Sequence, residues 1–286
     1  MPAVTLVTCA ALPDGDEDAA VLVEALARVG VAARWQVWND PAADWSADLA
    51  VVRCPWDYTD TPERFLQWTR SVPRLANPAN VIEWSADKRY LAALAAAGVP
   101  IVPSSFARPG ESAELPTDAE YVVKPTVGAG SRGAGRFAAG DTEGGRRHVQ
   151  LLHREGRTAL VQPYLADVDH SGETALIYLD GEFSHAIGKG AMLPYGTVHP
   201  LGGYELYVEE RISERVPTEA ELAVGGKAIA LLRERFGEDL LYVRADLLPT
   251  PDGPLLGELE LAEPSLFLSY CSAAADRFAA AIAARV

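Results

Sequence analysis

The chain has 286 residues, 49% hydrophobic and 23% charged, which is enough for a sizeable core spread over two or three small domains and unlike a disordered or fibrous chain. Its formal net charge of −15 speaks against a nucleic-acid duplex or a membrane surface as main partner, since both are polyanions, but a small phosphorylated ligand needs only a local cluster of donors and cations. Cys9, Cys54 and Cys271 lie far apart without a CxxC, which speaks against a disulfide framework or zinc site and fits a reduced, cytoplasmic setting.

From the start, MPAVTLVTCAALPDGDED has no basic leader and turns acidic, so VTLVTCAAL (4–12) is expected to be a first buried strand rather than a signal peptide. DEDAAVLVEALARVG follows with helical spacing and a stop at Gly30. VAARWQVW and LAVVRC (49–54) read as strands, and TPERFLQWTRSV as a helix opening on Thr61-Pro62. This alternation predicts an α/β unit with a parallel sheet. PRLANPANVIEW, rich in Pro and Asn, reads as a crossing linker.

SADKRYLAALAAAGVPIVPSSF predicts a helix from Ser85 to Gly98 and a short Pro-bounded strand. YVVKP is a strand, followed by a glycine-rich stretch, a helix near 143–155 and the strand TALVQPYL (158–165). ETALIYLDGEFSHAIGKG predicts a hairpin turning at Asp180-Gly181. Residues 191–216, with Gly202-Gly203, show no period. TEAELAVGGKAIALLRERFG is a helix, the stretch from Leu240 to Leu268 holds two strands around a Pro-Asp-Gly turn, and an Ala-rich helix comes last. No apolar stretch reaches bilayer length.

Of 25 basic residues only four are lysines: Lys88, Lys124, Lys189 and Lys227. A chain that uses Arg for generic positive charge keeps Lys where a compact point charge suits a site, or as surface leftovers. Lys124 stands just before VGAGSRGAGRF, which contains GxGxxG at Gly128, Gly130 and Gly133. A dinucleotide fingerprint would continue into a helix and find an acid at the end of the next strand. Here Ala-Gly-Arg-Phe-Ala-Ala-Gly follows, and the next strand ends at Gln162-Pro163. A mobile hairpin loop laid over phosphates accounts better for this composition, and a plain surface loop would share it.

The order of these pieces resembles the ATP-grasp superfamily from about Ser85 to Leu268, about two-thirds of the chain. ADKRYLAALAAAGVPIVPS is similar to the family's D-K helix and G-[IV]-P-x-P strand, YVVKP to its second lysine strand, and LVQPYL to the hinge strand between the grasping domains. The resemblance implies α/β architecture, α+β in the ATP-grasp part. Residues 1–84 would be an N-terminal, substrate-side α/β domain. Residues 85–164 would be the small ATP-grasp domain with the glycine loop, and 165–286 the C-terminal one with the metal site.

It further implies ATP as co-substrate. Lys88 and Lys124 would hold phosphates, Gly128, Gly130 and Ser131 would cover them, and Lys189 would reach the γ-phosphate. Main chain around Gln162, Tyr164 and Leu165 would read adenine, with Asp169 on the ribose and Asp167 its rival. Arg244 and Asp246 alternate onto one strand face, and Glu258 and Glu260 do so on the partner strand. Three such carboxylates repel one another unless a cation lies between them, and hard oxygens suit Mg²⁺, two ions on this resemblance. Where the family has Glu-x-Asn, this chain has Glu260 in place of Asn, and Glu263 is another possible ligand.

The implied chemistry is a carboxylate–amine ligation through an acyl phosphate, with Arg244 steadying the transferred phosphoryl group and the later oxyanion. VRCPWDYTDTPERFLQW resembles a branch holding glutathione-synthetase-like enzymes and the cyclo-ligase of cycloserine biosynthesis. On that basis Arg53 would pair a carboxylate of a small amino-acid-like substrate and Asp57 its amino group, with Trp56, Tyr58 and Ser265 beside them. Core aromatics and a helix-capping Asp57 read the same residues equally well. Residues 191–204 could close over the acceptor. A small-molecule kinase and a non-catalytic nucleotide-binding module are the alternatives, and a homo-oligomer stays open.

Overall fold

A computed structural model describes residues 1–201 and 211–286, so Gly202-Gly203 and the end of the 191–204 segment lie outside the described residues. The first unit contains β1 (Ala3–Thr8), α1 (Ala19–Arg28), β2 (Ala32–Val37), β3 (Leu49–Cys54), α2 (Pro62–Ser71), β4 (Leu75–Ala76) and α3 (Ala79–Ser85). Its strands form a four-stranded parallel sheet in the order β2-β1-β3-β4. The alternation of strand and helix forces this, because parallel neighbours need a crossover between them.

Next come α4 (Tyr90–Ala96), β5 (Ser105–Ala107), β6 (Tyr121–Pro125), β7 (Gly135–Phe137), α5 (Thr142–Arg154) and β8 (Ala159–Pro163). They build an antiparallel sheet ordered β5-β8-β6-β7, with its own core of Tyr121, Val123, Phe137, Val149, Leu152, Ala159 and Val161. The last part contains α6 (Val168–Ser171), β9 (Glu173–Leu179), β10 (Glu182–Lys189), β11 (Ile212–Arg215), α7 (Glu219–Phe236), β12 (Tyr242–Leu248), β13 (Leu255–Glu260) and α8 (Ala274–Ala283). Its five strands run antiparallel in the order β11-β10-β9-β12-β13.

The expected linker over 73–84 is instead β4 and α3. Pro78 precedes the first turn of α3, where its missing N–H costs nothing, and Val81 and Ile82 are fully buried on the helix. The helix expected from Ser85 is split: α3 ends there, and α4 starts only at Tyr90, leaving Lys88 in the connecting turn. β1 stops at Thr8 rather than residue 12, because Leu12 turns back to donate its N–H to the Cys9 carbonyl.

The first and last units share one core. Leu6, Leu22 and Leu26 pack with Ile177, Phe278 and Ile282, all fully buried, and each such side chain contributes roughly 1.5–3 kcal/mol of burial. Asn77 ties them further, donating to the carbonyls of Tyr242 and Leu261 (2.9 and 2.8 Å) and accepting from the Leu241 N–H (2.8 Å). Among the described residues no helix is long and apolar enough to cross a membrane.

Candidate active site

The site is built on β12 and β13. In YVRADLL, Val243, Ala245 and Leu247 turn toward α7 and pack with Leu176, Ala228 and Leu232. Strand alternation therefore places Arg244 and Asp246 on the opposite face, toward a cleft of about 690 Å³ between the three sheets. The antiparallel register sets Asp246 opposite Glu258 and Arg244 opposite Glu260, so all four meet on that face.

Cations hold this face together. Arg244 grips Asp246 with two hydrogen bonds of 2.9 Å and also reaches Glu260. Lys189 lies 2.8 Å from Asp246 and 3.4 Å from Glu173, its register partner on β9. Lys88 pairs with Glu258 at 2.8 Å. Burial alone would raise the Asp246 pKa, but the Arg244 and Lys189 charges outweigh it and hold the carboxyl far below its ordinary range. Glu258 is lowered likewise, with Lys88 and Lys124 overcoming burial. Glu260 goes the other way, to about 8, because burial and the Asp246 and Glu258 charges exceed what Arg244 returns.

The sequence expectation put metal ions between these carboxylates. Asp246, Glu258 and Glu260 do share a face, but lysine and arginine side chains stand between them, and among the described residues no group of three or more acidic, His or Cys side chains is drawn together tightly enough to hold an ion. The donor chemistry still fits Mg²⁺: the oxygens are hard, and Asp246, Glu258 and Glu260 share one strand-pair face.

The glycine stretch connects β6 to β7 as a hairpin, with no helix after the third glycine, so the dinucleotide-fingerprint alternative is excluded. Gly128, Gly130 and Ser131 line the cleft, and Gly130, Ser131 and Gly133 have φ of +59°, +59° and +72°. Lys88 donates to the Gly128 carbonyl at 2.8 Å, which fixes the hairpin base to the carboxylate face. Arg132 ties its tip to the first unit through Asp60 (2.8 Å) and Thr59 (3.1 Å). Lys124 lines the cleft from β6, its pKa lowered by burial, with Lys88 and Lys189 adding repulsion against the pull of Glu258.

At the hinge, Gln162, Tyr164 and Leu165 line the cleft beside the apolar Val102, Val122 and Leu248. The Gln162 side chain is spent on Ser104 (2.9 Å). Asp169, expected on the ribose, is not among the cleft-lining residues, and neither is Asp167. Arg136 takes both Asp169 oxygens at 3.0 Å, and the Tyr164 hydroxyl donates to it at 2.5 Å. Lys227 is exposed on α7.

The substrate-side expectations divide. Trp56 and Ser265 line the cleft. Arg53 does not: it is fully buried beneath Tyr242 and Phe278, because its place in an all-buried strand directs it inward. Asp57 accepts from Trp38 Nε1 at 2.7 Å, and Tyr58 packs on Phe65 with ring centroids 4.6 Å apart; neither lines the cleft. Tyr58 is thus a core aromatic, as the structural alternative had it, whereas Asp57 caps no helix: the turn it lies in is preceded by Pro55 and α2 by Thr61.

Sequence reasoning missed Glu173 and Asp16, which both line the cleft. Glu173 opens a strand and Asp16 sits in an acidic loop, where carboxylates ordinarily face water, so nothing local marked them. Glu263 also lines the cleft; burial raises it to about 7 against the opposing Tyr58 hydroxyl and Lys88 charge.

Residues 4–80 match the family described as D-cycloserine synthetase DcsG, N-terminal domain. The cycloserine biosynthesis protein DcsG of Streptomyces lavendulae is 40% identical over 304 residues, covering 100% of this chain and 99% of that protein. The crystal structure of D-cycloserine synthetase DcsG superimposes with a TM-score of 0.89 at 38% identity, covering 99% of each chain. D-alanine–D-alanine ligase from Bacillus anthracis has a TM-score of 0.65 at 13% identity, covering 100% of this chain and 97% of that one, and so shares the fold.

Proposed function

Because this chain belongs to the family of D-cycloserine synthetase DcsG, on the ATP-grasp fold, we propose that it joins the carboxylate of a small amino-acid-like substrate to an amine of the same molecule, at the expense of ATP. It is an ATP-dependent ligase. One observation carries the ATP-dependent reading furthest: one cleft brings the glycine hairpin and Lys88, Lys124 and Lys189 opposite the Arg244–Asp246 and Glu258–Glu260 strand pair, and the ring-closing step is supported by the likeness to DcsG.

On this reading the substrate carboxylate oxygen attacks the γ-phosphorus, ADP leaves, and an acyl phosphate forms. The amine nitrogen then attacks the acyl carbon and loses a proton, and phosphate departs. Lys88, Lys124 and Lys189 hold the phosphates, the hairpin N–H groups cover them and exclude water, and Arg244 lies over the developing charge. Adenine lies in the slot of Val102, Val122, Leu165 and Leu248. Asp246, Glu258 and Glu260 would hold Mg²⁺, two ions on this reading, which would neutralise phosphate charge. Residues 1–84 serve the substrate, 85–164 carry the hairpin, and 165–286 carry the carboxylate face.

The test is a product assay with Mg·ATP and a panel of amino acids and their ureido, hydroxamate and amine-bearing derivatives. The expected result is ADP, phosphate and a product lighter than its substrate by one water. A product heavier by a phosphoryl group would make the protein a kinase, and two substrates joined would make the bond intermolecular.

A further inference from the structure

The two groups expected to recognise the substrate's amino-acid head, Arg53 and Asp57, are not among the cleft-lining residues, and the structure offers a replacement in the loop before α1. Asp16 lines the cleft with its side chain only 7% exposed. Its Oδ1 accepts from the Asp18 N–H at 3.2 Å. Its Oδ2 faces Arg53 Nη2 at 3.7 Å, a charge contact too long for a hydrogen bond. The neighbouring Asp18 also lines the cleft, and its Oδ1 is engaged by both the N–H and the hydroxyl of Ser269 at 3.1 Å.

Arg53 is equally incomplete. Its Nε and Nη1 are buried with no hydrogen-bond partner among the described residues, and Nη2 is shared between Asp16 and the Pro264 carbonyl (3.2 Å). A buried guanidinium normally fills its donors, because unmade hydrogen bonds there are costly. Here it supplies fixed positive charge behind a carboxylate that it does not bind closely. Burial raises the Asp16 pKa, with only Arg53 among nearby charges working against it, so the carboxylate is short of positive partners.

The placement of this pair relative to the reacting end is set by one peptide unit. Arg53 donates to the Pro264 carbonyl, and Arg244 donates to the next one, Ser265, at 3.2 Å. Asp16, Ser265 and Arg244 all line the cleft, so the two ends of this peptide face one shared space. Gly15 holds the loop in place: its φ is +91°, and a Cβ there would meet the Trp35 ring at 2.4 Å.

We infer that Asp16 anchors the α-ammonium group of the substrate, with Arg53 as the buried counter-charge that keeps the anchor in place when the cleft is empty. This rests on the ring-closing reading above.

The probes are β-aminooxy-D-alanine, which is D-cycloserine with its ring amide opened by water, and 3-aminooxypropanoate, which lacks the α-amino group. The wild-type protein should favour the first in kcat/KM. In Asp16→Asn that preference should fall by at least about 30-fold, mostly through KM, while turnover of the des-amino compound and the Kd for ATP stay within about threefold. Asp16→Glu should restore part of the preference, which separates loss of charge from loss of fold. An Asp16→Asn protein that keeps the wild-type preference overturns the inference alone. A wild-type protein that closes no compound of the panel, yet consumes ATP to join two of them or to phosphorylate one, overturns the ring-closing reading and this inference with it.

Discussion

Lys88 is pinned between Glu258 on the last strand of the site and the Gly128 carbonyl at the base of the hairpin, 2.8 Å from each. One ammonium group thus sets both the carboxylate face and the loop across from it. Lys88→Met should raise the KM for ATP by at least about tenfold and lower stability by about 1–3 kcal/mol, since it leaves Glu258 without its partner. Steady-state kinetics with varied ATP and a denaturant titration measure the two effects.

Glu258→Ala should reduce turnover by at least about 100-fold while unfolding stays cooperative. Lys124→Ala should weaken ATP binding, read as Kd by calorimetry. Near-normal turnover in Glu258→Ala would remove Glu258 from the proposed metal site.

Asp169 gives a contrast. If it served the ribose, Asp169→Asn would cost ATP affinity. Because Arg136 and Tyr164 hold it outside the cleft lining, the substitution should leave the KM for ATP within about threefold and lower stability by about 1–3 kcal/mol.

The hinge and the carboxylate strands show how much was legible in the chain. The lysine scarcity, the β6–β7 hairpin and the two-apart spacing of Arg244 with Asp246 and of Glu258 with Glu260 are local patterns, and local patterns survive folding. Arg53, Asp57 and Asp169 lie outside the cleft lining, Arg53 because its strand is buried on both faces, and the other two because of distant partners, Trp38 and Arg136, that no spacing rule reaches. The Pro- and Asn-rich 73–84 stretch misled for a related reason: composition marked a loop, while burial of Val81 and Ile82 made a helix.

Gly133→Ala should disturb the hairpin. The residue has φ of +72°, and a Cβ would meet a Leu201 methyl group at 2.5 Å. A loss of about 1–3 kcal/mol and a higher KM for ATP are expected, measured by thermal unfolding with and without nucleotide.

His148 and His185 are buried and held neutral, their pKa values lowered chiefly by burial. The unfolded chain would take up these protons near pH 6.5, above where the folded protein does. Their contribution is therefore complete above about pH 7 and is lost as pH falls through the unfolded and then the folded pKa. Denaturant titrations between pH 8 and 5 should show stability falling toward acid, with a shallower slope in His148→Gln by up to about 1.4 kcal/mol per pH unit.

The shared core of the first and last units has a mechanical consequence. Leucines from α1 and β1 interlock with α8, and the successive carbonyls of Glu263, Pro264 and Ser265 accept from Trp56, Arg53 and Arg244. Those two sheets are riveted into one anvil. The middle sheet has a core of its own but also packs on the last unit through Leu160 and Phe106, and it meets the first unit through the polar contacts of Arg132 and Arg157 with Thr59 and Asp60. Parting the hairpin tip from the first unit would break only those few hydrogen bonds, whereas moving the whole middle sheet would also bare the apolar face it shares with the last unit.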